Sequence, residues 1–164
     1  MSWKNRSKQI LKSLDFKHMP KTKIYSDACC HVKDAHLPGR TGRGKAACGI
    51  LIIDEKGNEN EMSLYLGEMT VPEAEFNGLI FALEQATAIT RYDIEVWMDS
   101  ELVIKWMKGE YRLKKEHIRP LFDEAKKKEQ RFKSVEYFHH TREAVNVKRV
   151  DSLAEAEYRK NQGK

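Results

Sequence analysis

The chain has 164 residues, 40% of them hydrophobic and 34% charged, and a formal charge of +5. That length suits one domain with a sizeable core, and no apolar run approaches the roughly 20 residues of a membrane span. The basic first residues lack a following apolar stretch, so no secretory signal is expected, and the expected protein is cytoplasmic, monomeric and without a membrane partner.

Charge is unevenly placed. Met1 to Lys23 holds seven basic residues against Asp15 alone, a net +6, so the remainder sums to −1. Residues 1–22 read as a basic arm and 23–164 as the folded domain. Such an arm suits a grip on a polyanion; a solubilising tail is the plainer alternative.

In chain order, Trp3, Ser7, Ile10, Leu11 and Leu14 share one face at helical spacing, which predicts a short amphipathic helix; docking on the domain is the default, with binding a partner or lying along nucleic acid as the alternatives. Phe16 to Thr22, with Pro20, reads as a connector. Lys23 to Cys30 reads as a first strand. Cys29 and Cys30 point to opposite faces of it and, with Cys48, read as buried reduced thiols. A metal site from Cys29, Cys30, His31 and His36 is the sharper alternative, but the paired C-x-x-C spacing of structural zinc is missing. His31 to Lys45 reads as a polar loop. Its Pro38, Gly39, Gly42 and Gly44 lie among Arg40, Arg43 and Lys45, so backbone and cations can approach a phosphate chain together. A solvated hairpin connection is the competing reading.

Ala46 to Asp54, the turn Glu55-Lys56-Gly57-Asn58 and Glu59 to Gly67 read as a hairpin continuing from the first strand. Pro72 opens a helix whose buried face is Phe76, Leu79, Ile80 and Leu83. Asp93 to Met98 is a strand, and Ser100 to Lys108 a short helix stopped by Gly109. His117 to Phe132 is a charged helix burying Ile118, Leu121, Phe122 and Ala125. Ser134 to His139 is the last strand, and Lys148 to Arg159 the last helix. The order βββαβααβα predicts an α/β fold: a five-stranded mixed sheet flanked by helices, with an antiparallel meander of the first three strands and parallel fourth and fifth strands.

Four carboxylates stand out against this frame: Asp27, Glu75, Asp99 and Asp151. Each lies on or beside an apolar stretch, where a carboxylate is costly unless partnered. Parallel neighbouring strands bring Asp27 and Asp99 together at the crevice where the sheet opens. Glu75 and Asp151 sit near the starts of helices that can face that crevice. Four converging oxygen donors make a hard site for Mg2+ or Mn2+, and two such ions can drive phosphodiester cleavage without a protein nucleophile. Acids at helix starts also arise simply as helix-terminal charges, which is the plainer reading of Glu75 or Asp151 alone. Trp97, Trp106 and Tyr111 read mainly as packing, with Tyr111 the exposed candidate for base stacking.

Five stretches then resemble, in order, the ribonuclease H type I family in the form lacking the long basic protrusion. YSDA is similar to its first-strand D-G-S, AEFNGLIFAL to its A-E-Y-x-A-L-I helix, and MDSELVIKWMKGEY to D-S-x-L-V-x-x-x-x-G-x-Y. IRPLFDEA is similar to the helix that follows, and HHTREAVNVKRVDSLA to the final R-E-x-N-x-x-A-D-x-L-A. The resemblance spans about Lys23 to Arg159. It implies an RNase H-like fold, two Mg2+ or Mn2+ ions held by Asp27, Glu75, Asp99 and Asp151, and endonucleolytic cleavage of the RNA strand of an RNA/DNA hybrid to 3′-hydroxyl and 5′-phosphate ends. His140, with His139 as rival, is the counterpart of the family's turnover-assisting histidine. Asn77, Ser100, Tyr111, Arg142 and Asn146 are the implied nucleic-acid contacts, beside Arg40, Arg43 and Lys45.

The departures fall on substrate-reading positions. Ala28 stands for the glycine after the first aspartate, and the paired asparagines before the glutamate are replaced near Val71 and Pro72. Glu101 stands for a glutamine, and one extra residue separates Asn146 from Asp151. Two further readings therefore stay open: a nuclease redirected to double-stranded or structured RNA, and a catalytically silent nucleic-acid-binding module. The extra residue bears on both, because it can carry Asp151 away from the other carboxylates.

Overall fold

In a computed structural model, which describes residues 2–13, 19–33, 42–141 and 144–163, the strands pair into one sheet. Strands β1 (Thr22–His31), β2 (Arg43–Ile53) and β3 (Glu59–Thr70) form the antiparallel meander, and β4 (Asp93–Met98) and β5 (Ser134–His139) add in parallel. The order across the sheet is β3-β2-β1-β4-β5. The β2–β3 turn is closed by Asp54, whose carboxylate accepts from the Lys56 and Asn58 amides, and by Gly57 at φ 86°.

Five helices complete the described chain: α1 (Trp3–Ser13), α2 (Val71–Ala86), α3 (Glu101–Met107), α4 (Arg119–Glu129) and α5 (Val145–Lys160). Helix α2 starts on a full capping box, in which Thr70 accepts from the Glu73 amide and the Glu73 carboxylate accepts from the Thr70 amide. Two orphan N–H groups are thereby satisfied, and Pro72 in the first turn forfeits no bond. Ser100 caps α3 by accepting from the Val103 amide.

Three expectations are corrected. Strand β2 begins at Arg43, and Lys45 pairs with His31 on one side and Glu68 on the other. Arg43, Gly44 and Lys45 are therefore ladder residues, where a loop to Lys45 was expected. Helix α5 begins at Val145, three residues before the expected Lys148, because Ala144 enters it without a side-chain cap that the sequence could announce. Trp3 in α1 is 87% exposed, so it does not dock as its helical spacing suggested; Leu14 lies outside the described residues.

The alternation of side chains gives the sheet two unlike faces. On one, Ile24, Ile50, Ile52, Ile94, Val96 and Met98 pack against Phe76, Leu79, Leu83, Trp106, Ile118 and Ala125 from α2, α3, the turn before α4 and α4 itself. Phe76 stacks on Trp106 with ring centroids 5.9 Å apart and meets Phe122 edge-on. On the other face α5 packs against the sheet through two small clusters, Tyr25–Leu51–Val150 and Cys29–Ala47–Ala154.

Two glycines set the approach of a helix on each side of β1 and β2. A Cβ on Gly49 would overlap the Val150 carbonyl and lie 2.7 Å from the Leu153 Cβ, so α5 rests directly on the β2 backbone. A Cβ on Gly78 would come within 3.1 Å of the Ser26 hydroxyl and 3.2 Å of the Cys48 Cβ, so α2 lies close on the opposite face. Farther along β2, the register with β3 slips by one: Ala47 faces Tyr65 and Ala46 faces Gly67, which leaves Leu66 unmatched. Gly67 adopts φ 85°, as a bulge requires.

Candidate active site

Tyr25 pairs with Trp97 across the parallel β1–β4 ladder. Two residues farther along each chain stand Asp27 and Asp99, side by side where the strand order changes from antiparallel to parallel neighbours. Glu75 comes from the second turn of α2, three residues before Gly78, whose close packing on Ser26 sets the depth of that turn. Carboxylate oxygens of Asp27, Glu75 and Asp99 lie within 4.8 Å of one another. Asp27 is 5% and Glu75 7% exposed.

Burial pushes the Asp27 carboxyl up to about 8, with the negative charges of Asp99 and then Asp151 adding to it; the Ala28 amide, donating to Asp27 Oδ1 at 2.9 Å, acts in the opposite direction. Acids held this closely resist joint ionisation unless a cation compensates them. Oxygen-only donors, two of them buried, fit a hard divalent cation such as Mg2+ or Mn2+.

Asp151 is near enough to raise Asp27 but is not part of the three-carboxylate group. With α5 beginning at Val145, Asp151 lies in the helix's second turn, near its start, and is exposed. The N-terminal part of α5 is held to the sheet by Arg149, which pairs with Glu59 at 2.8 Å and with Glu61.

The two histidines differ. His139 Nε2 lies 3.1 Å from the Asp99 carbonyl, which only accepts, so Nε2 carries the proton there. His140 tilts over Trp97 with centroids 4.4 Å apart, and its Nδ1 is buried without a hydrogen-bond partner. Both line an open cleft of about 430 Å³ with Val71, Glu75, Asp99, Ser100 and Thr141. A larger hollow, about 510 Å³, lies at the opposite end of the sheet beside the β2–β3 turn. The converging carboxylates mark the smaller cleft as the candidate site, since the Asp54 carboxylate in the larger one is occupied in closing the turn.

Of the remaining expected contacts, Ser100 lines this cleft, with its hydroxyl engaged as the α3 cap, while Arg43 and Lys45 line a separate hollow with His31, Glu68 and Tyr158. Tyr111 is half exposed, and its hydroxyl accepts from Lys105 at 3.2 Å. Asn77 donates to the Glu73 carbonyl at 2.8 Å, and Asn146 Oδ1 lies 3.5 Å from Arg149. Arg43 pairs with Glu73 at 3.2 Å and donates to the Glu68 carbonyl, while Lys45 lies on β2 beside it. Arg40 and Arg142 lie outside the described residues.

Sequence reasoning missed three positioning residues. Gly49 and Gly78 set the depth of α5 and α2; a glycine inside a strand pattern is itself a signal of close backbone approach. Lys105 is the third. It pairs with Glu101 at 2.7 Å, so the charge that replaces a glutamine is met by a cation one helical turn away, and the bonds to Glu101 and Tyr111 hold the Lys105 pKa up.

The reverse-transcriptase-like family profile matches residues 37–156. RNase H1 from the halophilic archaeon Halobacterium salinarum is 26% identical with a TM-score of 0.73, over 85% of this chain and 98% of that one. LC11-RNase H1, isolated from compost and solved in complex with an RNA/DNA hybrid, is 32% identical with a TM-score of 0.72, again over 85% and 98%. The PFV RNase H domain, at 21% identity, TM-score 0.60 and coverage of 85% and 94%, shares the fold. A search of curated proteins returns no match. With the family profile spanning most of its length and archaeal and compost-derived relatives that align nearly end to end, the chain belongs to the reverse-transcriptase-like family as a ribonuclease H type I-like protein.

Proposed function

We propose that this protein is an endonuclease that hydrolyses the RNA strand of RNA/DNA hybrids, leaving 3′-hydroxyl and 5′-phosphate ends. The observation that carries the reading is the convergence of Asp27, Glu75 and Asp99 within 4.8 Å in an RNase H-like sheet. A relative of 32% identity was solved with an RNA/DNA hybrid, which supports the substrate class.

Asp27, Glu75 and Asp99 would hold divalent cations, with Asp151 completing the set from α5. When bound, two such ions activate a water and stabilise the departing 3′-oxygen. The chain's own residues supply position and proton traffic. The Ala28 amide donates to Asp27 Oδ1 and so orients that carboxylate before substrate arrives. His139 is committed to the Asp99 carbonyl and steadies that residue. His140, on the rim of the same cleft, is the residue that takes or gives a proton as product leaves. Tyr111, Ser100, Asn77, Asn146 and the cations Arg43 and Lys45 line the path of the duplex, with Arg40 and Arg142 as further contacts. The basic arm, residues 1–22, adds a sequence-independent grip on phosphates.

The test is cleavage of matched RNA/DNA hybrid, double-stranded RNA and single-stranded RNA, each with Mg2+ and with Mn2+, beside Asp99→Asn. Hybrid cleavage abolished by the substitution supports the proposal. Preferential cutting of double-stranded RNA would redirect the substrate, and a folded protein that cuts none of the three would leave a binding module.

A further inference from the structure

The face of β1 that carries Asp27 continues through Cys29 to His31, because alternate residues of a strand point the same way. Above it, α5 places Glu155 one helical turn beyond Asp151. Donor atoms of Cys29, His31 and Glu155 lie within 4.8 Å of one another. This is a second convergence, one step along the strand–helix groove from the first.

Its chemistry differs from that of the carboxylate cluster. Thiol, imidazole and carboxylate meet here, a set suited to borderline-soft ions and poorly suited to Mg2+. His31 Nε2 is 3.1 Å from Glu155 Oε2 and 3.2 Å from Oε1, so two of the donors already touch. The His31 ring is held by Tyr158, stacked at 3.8 Å with planes 15° apart. Cys29 is buried among Ala47 and Ala154, while His31 and Glu155 are part-exposed, which leaves an entry from solvent. Ligand bonds of about 2.0–2.3 Å in a four-coordinate shell place donors roughly 3.5 Å apart.

We propose that Cys29, His31 and Glu155 form a binding site for a zinc-class divalent ion, with solvent as the fourth ligand. Cys30, which the sequence placed beside them, is not part of it. The Cys30 thiol turns to the other side of β1, toward the Gly44 and Met69 carbonyls, and His36 lies outside the described residues. A bound ion would pin the end of β1 to the middle of α5. The helix that carries Asp151 would then be tied on both sides of that residue, by Arg149 to β3 and by the ion to β1. The site stands apart from the proposed nuclease chemistry and does not depend on it.

The test is titration of the reduced, metal-stripped full chain with Co2+ in excess Mg2+, followed by absorption. A thiolate-to-cobalt charge-transfer band saturating at one equivalent, and abolished by added Zn2+, is expected. Cys29→Ser loses the band and Cys30→Ser keeps it. Glu155→Gln, at a part-exposed position, weakens Co2+ binding by at least about tenfold. Magnesium-supported cleavage by Glu155→Gln stays unchanged. Absence of the band in the unmodified chain, its persistence in Cys29→Ser, or equal affinity in Glu155→Gln would each overturn the proposal.

Discussion

The α2 side of the sheet and the α5 side are built from the same strands but to different ends. On the first, Ile24, Ile50, Ile52, Ile94 and Val96 meet the aliphatic and aromatic residues of α2 and α3 in one continuous core. On the second, β1 presents Tyr25, Asp27, Cys29 and His31 in succession, against Val150, Ala154 and Glu155 of α5. Groups that cost stability gather where apolar contact is thin, and the opposite face offsets them. A sheet buried on one side can thus hold close-set acids and a thiol on the other without losing its register.

The largest effect expected is on Asp27. Asp27→Asn lowers hybrid cleavage by at least about 10³-fold, the scale of losing a principal electrostatic group. The same substitution raises the metal-free melting temperature, because it removes a buried carboxyl crowded by Asp99 and Asp151. The sign follows from proton binding. Asp27 loses its proton near 3.8 in the unfolded chain and only at about 8 in the fold. Between those values the fold retains a proton the unfolded chain has released, so metal-free stability falls as pH rises through that window. Denaturation at several pH values should show that fall in the unmodified chain and a shallower one in Asp27→Asn. An unchanged slope would remove the strain assigned to the α5 side.

Next comes a pair of neighbours on β2 with opposite outlooks. Ile50 faces the thick core and Leu51 faces α5, and both are fully buried. Ile50→Ala should cost about 3–5 kcal/mol and Leu51→Ala about 2–3 kcal/mol in urea unfolding, because a single helix can settle toward a cavity more easily than a packed layer can. Equal losses would mean that α5 is as firmly held as α2.

The two glycines sharpen the contrast at smaller scale. Gly49→Ala should destabilise by about 1–3 kcal/mol, since the new methyl meets α5 backbone and must lift the helix. Gly78→Ala should fall near balance, as a helix-interior alanine gains about 1 kcal/mol over glycine against a tight but yielding contact. Cleavage should drop more for Gly49→Ala than for Gly78→Ala if the position of Asp151 over the site matters. The smallest effect is expected at the rim. Lys105→Met releases Glu101 from its partner and should raise KM for a hybrid by about two- to fivefold with kcat unchanged, as befits an exposed pair.

Much of this arrangement is written locally in the sequence. The strands announce themselves by short apolar stretches between turn residues, α2 by Pro72 and its apolar spacing, and the pairing of Asp27 with Asp99 by the strand–helix order. What escaped has a common cause. The start of α5 carries no capping residue, so the helix was expected to begin three residues late, at Lys148. Arg43 and Lys45 were read as loop residues because glycines surround them, whereas long-range pairing with β3 draws them into the ladder. The Cys29–His31–Glu155 cluster joins residues more than a hundred positions apart, and no spacing rule relates them.

The unmatched Leu66 bears on how the chain tolerates change in length. Tyr65 to Glu75 is a counted interval: the bulge absorbs one residue, Thr70 then reaches the start of α2 as its cap, and Glu75 follows in the second turn. Substitutions at Leu66 leave the count intact. Loss of that residue would turn the strand beyond it over by one face, or draw the cap back along β2 and take Glu75 with it. Insertions and deletions in this interval should therefore be far less permissible than exchanges of one side chain for another, although the segment lies at the edge of the sheet, where length is usually free to drift.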